Sequence, residues 1–462
     1  MKYISTREGH TASSAESVFQ GLAPDKGLYV PSEDFASVDL PTGLDDLGAA
    51  ERYVLSRFFD DIPEAVRTAA IERLLSRFPR ENPIPLVKKD AFYFLELFHG
   101  KTGAFKDVAL SMLPVFMRYA AGGRRVLVLT ATSGDTGSAA MQGFAGVEGT
   151  EIIVFYPATG TSKIQRLQMT TPADANVHAV GIRGNFDDAQ AAVKRIFADP
   201  SIAKQAMRSG VALSSANSIN TGRLIPQIAY YVMAGAKLKT AFDVVVPSGN
   251  FGNILAAYYA KKMGTPIRKL VVASNVNDVL ARFVKTGVYD PGNDFTITNS
   301  PSMDIRKSSN VERLLWMLND GDTGEVARLM NDLENKGRYE LKETAKAKLF
   351  ADFEGGVATP AETEAEMCHL RERADYLVDP HTAVASCVAR RYLNGEHSPA
   401  SIPCVIAATA TPYKFPETCQ RAFGDDVLVN PPPSFRDLEK LPITQKRICD
   451  VAGVDEEVLR LF

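Results

Sequence analysis

Val126-Leu127-Val128-Leu129-Thr130-Ala131-Thr132-Ser133-Gly134-Asp135-Thr136-Gly137 reads as a buried strand, a glycine turn and the start of a helix. The unbroken apolar run at 126–130 lacks the alternation of a half-solvated strand. It is the pattern of a parallel strand covered on both faces. The unit recurs outward along the chain. Strands are expected at 152–157, 177–180 and 244–247, followed by helices at 162–170, 187–198 and 252–263. Further apolar runs stand at 92–97, 270–273 and 404–409. Strands alternating with helices at this spacing give mostly parallel sheets with helices on both faces.

The chain has 462 residues, too many for one ordinary core, so several packed units are expected. Residues 1–90 read as an N-terminal, mainly helical module, with helical spacing at 49–59 and 62–78. Residues 91–215 read as a smaller α/β domain. Residues 216–462 read as a larger α/β domain interrupted at about 277–374 by a helical insertion, with helices at 313–318, 325–334 and 340–353.

Hydrophobic content of 45% and charged content of 23% are those of a soluble globular protein. A net charge of −3, with Lys and Arg scattered, excludes a nucleic-acid footprint. No run approaches the roughly 20 apolar residues of a membrane span. The five cysteines (Cys368, Cys387, Cys404, Cys419 and Cys449) form no C-x-x-C pair. That spacing predicts neither a disulfide framework nor a metal site and fits a reducing, cytoplasmic setting.

Lys106 lies in His99-Gly100-Lys101-Thr102-Gly103-Ala104-Phe105-Lys106-Asp107, a glycine-rich loop after the apolar run 92–97. An aromatic neighbour and a buried strand favour a desolvated lysine. Desolvation lowers its pKa and frees the amine to form a Schiff base. Lys106 is therefore the candidate catalytic and cofactor-binding residue.

An aldehyde cofactor with a phosphate needs an anion cradle, and three strand-end loops offer one. Ser248-Gly249-Asn250-Phe251-Gly252-Asn253 opens a helix after a strand, where free amides suit a phosphate. It is neither a P-loop nor a dinucleotide fingerprint; the alternative is a tight turn that merely needs glycine. Thr132, Ser133, Gly134 and Thr136, with Asp135, either grip a carboxylate or phosphate or cap a helix. Asn217, Ser218 and Arg223 gather an amide, a hydroxyl and a guanidinium. They form either an anion clamp or a capped helix with a surface arginine. Thr409 ends a strand and either faces a heteroatom such as a pyridine nitrogen or caps backbone. His381, in Asp379-Pro380-His381-Thr382-Ala383, is read as a structural turn histidine rather than a catalytic one.

Taken together, these segments resemble the threonine synthase family, pyridoxal-phosphate enzymes of the tryptophan-synthase-β-like fold (fold type II). The resemblance covers nearly the whole chain. It is carried by the lysine loop, by Gly21-Leu22 with Gly27-Leu28-Tyr29-Val30-Pro31, and by Pro301-Ser302-Met303-Asp304-Ile305. Ser309-Asn310-Val311-Glu312-Arg313, residues 379–383 and Thr409-Ala410-Thr411-Pro412-Tyr413-Lys414-Phe415 carry the rest. Relatives commonly have Pro where Lys101 stands and His where Thr411 stands.

The resemblance implies two mostly parallel-sheet α/β domains and pyridoxal 5'-phosphate as cofactor. It implies conversion of O-phospho-L-homoserine and water to L-threonine and phosphate. Lys106 would hold the aldehyde, and Ser248 with Gly249, Asn250, Phe251, Gly252 and Asn253 the cofactor phosphate. Thr409 would face the pyridine nitrogen and Asp135 the ring hydroxyl. Thr132, Ser133, Gly134 and Thr136 would take the amino-acid end of the substrate, and Asn217, Ser218 and Arg223 its phosphate. The alternative is a related phospho-lyase or dehydratase giving 2-oxobutyrate. A cytoplasmic monomer or homodimer is expected, with neither nucleic-acid nor membrane partner.

Overall fold

The computed structural model describes residues 1–33, 35, 39–292, 294–395, 401–424, 427–428 and 430–462. Two parallel sheets organise it. The first runs, edge to edge, Phe353–Val357, Ile267–Ser274, Phe242–Pro247, Cys404–Ala408, Phe92–Glu96 and Leu86–Lys89. Only its last pair is antiparallel. The second runs Arg447–Asp450, Val177–Arg183, Thr150–Pro157, Arg125–Ala131 and Val211–Ser215, all parallel. Apart from the half-buried Tyr93 and His178, the runs read as strands are buried in both sheets, as two-sided coverage requires.

Several pairings differ from the linear reading. Phe92–Glu96, placed by sequence at the start of the smaller unit, pairs with Cys404–Ala408 in the first sheet. Arg447–Asp450, from the end of the chain, returns to the edge of the second sheet. Residues 1–90 hold the helices Leu47–Phe58 and Glu64–Leu75, but also a three-stranded antiparallel sheet of Thr11–Ala12, Tyr3–Ser5 and Tyr29–Pro31. The stretch expected to be a helix at 340–353 is one only over Glu343–Asp352. It then enters the strand Phe353–Val357. Gly355 and Gly356 permit that strand: a Cβ on either would lie 2.9 Å from the Ala281 carbonyl or 2.5 Å from Val388.

In each sheet the chain order reverses beside one strand. In the first, neighbours on one side of Phe242–Pro247 follow in order, and Cys404–Ala408 lies on the other. In the second, Arg125–Ala131 separates Thr150–Pro157 from Val211–Ser215. At such switch points the loops leaving the carboxyl ends diverge and open a crevice. Ser248, Thr409, Thr132 and Asn217 all follow the strands at these two points.

The helix Lys106–Ala120, with ten buried residues and Pro114 inside it, packs beside the second sheet and against the helices Glu64–Leu75 and Asp135–Phe144. Proline removes the N–H that would bond the Leu110 carbonyl and crowds it. The helix Asp135–Phe144 comes close at that point. A Cβ on Gly143 would sit 2.2 Å from the Leu110 oxygen, so only glycine allows the approach. That contact fixes the lysine helix against the helix of the Thr132–Gly137 turn.

Candidate active site

The lysine loop is shaped by its own side chains. Thr102 donates its amide and hydroxyl to the buried Asp107 carboxylate, at 2.8 and 2.7 Å. A Cβ on Gly100 would lie 2.6 Å from Asp107, and Gly103, at φ 71°, would meet Thr411 at 2.5 Å. The loop is stitched to the end of Cys404–Ala408. The Phe105 amide donates to the Thr409 carbonyl (2.9 Å), and the Thr411 amide to the Gly103 carbonyl (2.9 Å). Lys106 therefore starts its helix beside Thr409.

The Lys106 side chain is 14% exposed, and its Nζ donates to Asp135 Oδ2 at 3.2 Å. Burial pushes its amine below the usual lysine range; Lys414 and Arg223 push the same way, and Asp135 opposes them. Burial alone would raise Asp135. Lys106, Lys414 and the Gln165 amide outweigh it and hold the carboxyl well below its usual range. Gln165 Nε2 donates to Oδ1 at 2.8 Å and Lys414 Nζ lies 3.1 Å from it. Ser302 Oγ donates to Oδ2 at 3.4 Å. The Ser302 amide donates to His381 Nε2 (3.1 Å), which leaves the ring proton on Nδ1, 2.6 Å from Asp379 Oδ2. His381 thus holds the loop at 301–304 in place.

The two candidate anion loops are clipped together by Asn310. Its Nδ2 donates to the Asn250 carbonyl (3.0 Å) and the Ser218 carbonyl (3.2 Å). Asn310 Oδ1 accepts from the fully buried Arg313, whose Nε donates to the Tyr29 carbonyl at 2.8 Å. The N-terminal module is thereby tied to the site, with Arg7 and Thr6 on Glu312 as further ties.

A phosphate-bearing aldehyde cofactor fits these residues. The turn 248–252 opens the helix Gly252–Lys262 with Phe251 left-handed at φ 62°. Gly249 leaves no room for a side chain, its Cβ position lying 2.7 Å from the Ser302 carbonyl. Asn253 Oδ1 accepts from the Tyr231 hydroxyl, while its buried Nδ2 has no partner among the described residues. Arg223 Nε and Asn217 Oδ1 are likewise buried and unpartnered there. Burial lowers the Arg223 guanidinium to about 10. Its Nη1 donates to the Ala216 carbonyl at 2.6 Å. A buried cation with an unused donor is a costly feature that an anionic ligand would offset.

Comparison with known proteins agrees in three parts. The family described as "Pyridoxal-phosphate dependent enzyme" matches residues 78–408, "Threonine synthase N terminus" residues 2–73, and "Threonine synthase, C-terminal" residues 382–460. A threonine synthase of Eremothecium gossypii is 36% identical over 510 residues, covering 99% of this chain and 96% of its own. One from Pseudomonas aeruginosa is 38% identical over 91% of this chain and 90% of its own. The crystal structure of a PLP-bound threonine synthase from Brucella melitensis superposes with a TM-score of 0.91 at 36% identity, covering 100% of this chain and 99% of that one. The chain belongs to the threonine synthase family. It is a pyridoxal-phosphate-dependent enzyme with that family's α/β fold.

Within this threonine synthase fold, Lys106 and Asp135 are in direct contact. Thr409 reaches the lysine loop through backbone, and Asn250 and Ser218 share Asn310. Thr132 is different: its hydroxyl accepts from the Gly134 and Gly137 amides, both at 2.9 Å, so it shapes the turn. Ser133 and Lys101 are exposed. Lys414, Gln165, Ser302 and Asn310 were missing from the sequence-derived site. Lys414, Ser302 and Asn310 lie inside quoted motifs, so a signal existed. Gln165, a helix-start residue bonded to Ser162, gave none. Among the described residues no helix is long and apolar enough to cross a membrane.

Proposed function

We propose that this chain converts O-phospho-L-homoserine and water to L-threonine and phosphate, with Lys106 as both cofactor lysine and acid–base group. The carrying observation is the Lys106 Nζ, 3.2 Å from Asp135 and beside loops from two switch points. Bound there, pyridoxal 5'-phosphate supplies an aldehyde for the lysine and a ring that draws electrons from the substrate.

The chain's residues do the rest. Ser248 and the amides of residues 249–253 hold the cofactor phosphate at a helix start. Asp135 would face the ring hydroxyl and Thr409 the pyridine nitrogen. Thr132 sets the turn that presents Ser133, Gly134 and Thr136 to the substrate carboxylate. Asn217, Ser218 and Arg223 receive the substrate phosphate. Lys106 Nζ, lowered by burial, takes the Cα proton and returns protons during the reaction. The net change breaks the Cγ–O bond to release phosphate, takes one proton from Cβ, and places water's hydroxyl on Cβ and a proton on Cγ. Arg223 favours phosphate departure over return of the first proton.

The test is one incubation with phosphohomoserine and pyridoxal phosphate, with products identified beside a visible spectrum. Threonine and phosphate in equal amounts are expected; 2-oxobutyrate in place of threonine would mean a lyase. Lys106→Ala should abolish both turnover and cofactor absorbance, and full phosphate release by that variant would refute the assignment.

A further inference from the structure

Lys414 has no part in the reaction described above, yet its side chain is completely buried. It stands on the short turn Pro412–Lys414, just past the strand end that carries Thr409. Its Nζ donates to the Thr102 carbonyl (2.9 Å), Gln168 Oε1 (3.0 Å) and Ser138 Oγ (3.4 Å), and lies 3.1 Å from Asp135 Oδ1. Gln168 is itself fixed, donating to the same Thr102 carbonyl at 3.1 Å. The ammonium has no path to water.

The two oxygens of Asp135 are thus divided. Oδ1 is held by Lys414 and Gln165, and Oδ2 meets Lys106 and Ser302. Lys106 must lose its charge to act as an amine or to bind an aldehyde. Were it the only cation at hand, that loss would strand a buried carboxylate, which is strongly unfavourable. Asp135 would then capture a proton or keep Lys106 charged.

We propose that Lys414 is a positioning residue, the fixed counter-cation that keeps Asp135 ionised and in place while Lys106 gives up its proton. The inference rests on Lys106 being the cofactor lysine. The charged groups acting on this pair are few. Lys106 feels Asp135 and Arg223 as well as Lys414. Asp107, next to Lys106 in the chain and bonded to Thr102, feels Lys414 too.

The test reads Lys106 directly. Its labelling by an amine-specific acylating reagent is followed against pH in the full chain stripped of cofactor, by mass spectrometry. In Lys414→Met, Asp135 has only Lys106 left to pair with, so the labelling midpoint should rise by about one to three pH units. A loosened site would also raise it, so the double variant Lys414→Met/Asp135→Asn decides. With the carboxylate gone, the midpoint should return to the wild-type value or below. An unchanged midpoint in the single variant, or one still raised in the double, overturns the proposal and leaves Lys414 a strut. A second readout needs no Lys414 variant. On loading the wild-type chain with pyridoxal phosphate, the infrared difference spectrum should show no protonated-carboxyl band assignable to Asp135 by comparison with Asp135→Asn. Such a band overturns the proposal. Failure of the underlying reading would look different: Lys106→Ala would keep the cofactor's absorbance.

Discussion

Asn310 offers the sharpest test of how the site is assembled, because one buried amide serves three partners. Asn310→Ala removes the donations to the Asn250 and Ser218 carbonyls and takes an acceptor from the fully buried Arg313. Each neutral bond contributes about 1 kcal/mol and the acceptor for a buried guanidinium about 2, so the variant should lose about 4 kcal/mol of stability. Urea unfolding at constant slope measures that loss. The functional effect should be two-sided, since the amide ties one loop to the other. Affinity for pyridoxal phosphate, followed by absorbance, and the KM for phosphohomoserine should worsen together. Asn310→Asp separates the two jobs. It keeps the acceptor for Arg313 and so recovers about half the stability, but its carboxylate faces two carbonyl oxygens and cannot close the loops. A loss below about 1 kcal/mol in Asn310→Ala, or a change in only one affinity, would refute this account of the clip.

Three other changes test separate parts of the molecule. Arg223→Ala should raise the KM for phosphohomoserine by about 10- to 100-fold, the worth of a charge-assisted bond, while pyridoxal-phosphate affinity changes little; equal weakening of both would misplace the clamp. Glu51 is buried with both oxygens unpartnered among the described residues, and burial holds its carboxyl well above the usual range. As pH rises past about 4.3 the unfolded chain ionises first, so stability falls by about 1.4 kcal/mol per pH unit until the folded group titrates. Glu51→Gln should therefore stabilise the protein at neutral pH with a gain that vanishes near about pH 4; a gain independent of pH in urea unfolding contradicts this. Gly143→Ala drives a Cβ to 2.2 Å from the Leu110 carbonyl, and backbone must move to accept it. The cost should be about 1–3 kcal/mol by thermal unfolding, with slower turnover because the lysine helix shifts; a neutral substitution would mean the helices are not held by that contact.

The division between what could be read in the chain and what could not follows from the range of the interactions. Continuous apolar runs mark two-sided burial, a property of the segment itself, so the central strands of both sheets were legible at 126–130, 152–157 and 244–247. Strands of two or three residues, such as Thr11–Ala12 and Tyr3–Ser5, carry no period to detect. Arg447–Asp450 is largely exposed and owes its strand form to a partner about 270 positions away. The glycines of Phe353–Val357 argued against a strand locally, and only the close approach of Ala281 and Val388 explains them. The site divides the same way. Lys106 and the Ser248–Asn253 turn could be singled out from the chain because a glycine turn at a strand end is short-range context. Lys414, Ser302 and Asn310 reach loops through partners 60 to 312 positions distant, which their motifs mark without showing what they bond. Sequence context therefore singles out candidate ligand groups more readily than the groups that hold those candidates in place. In this fold Lys414 and Asn310 are buried and polar, where a single unpaired atom is costly. Substituting them should change pKa and loop spacing before it changes any contact with substrate.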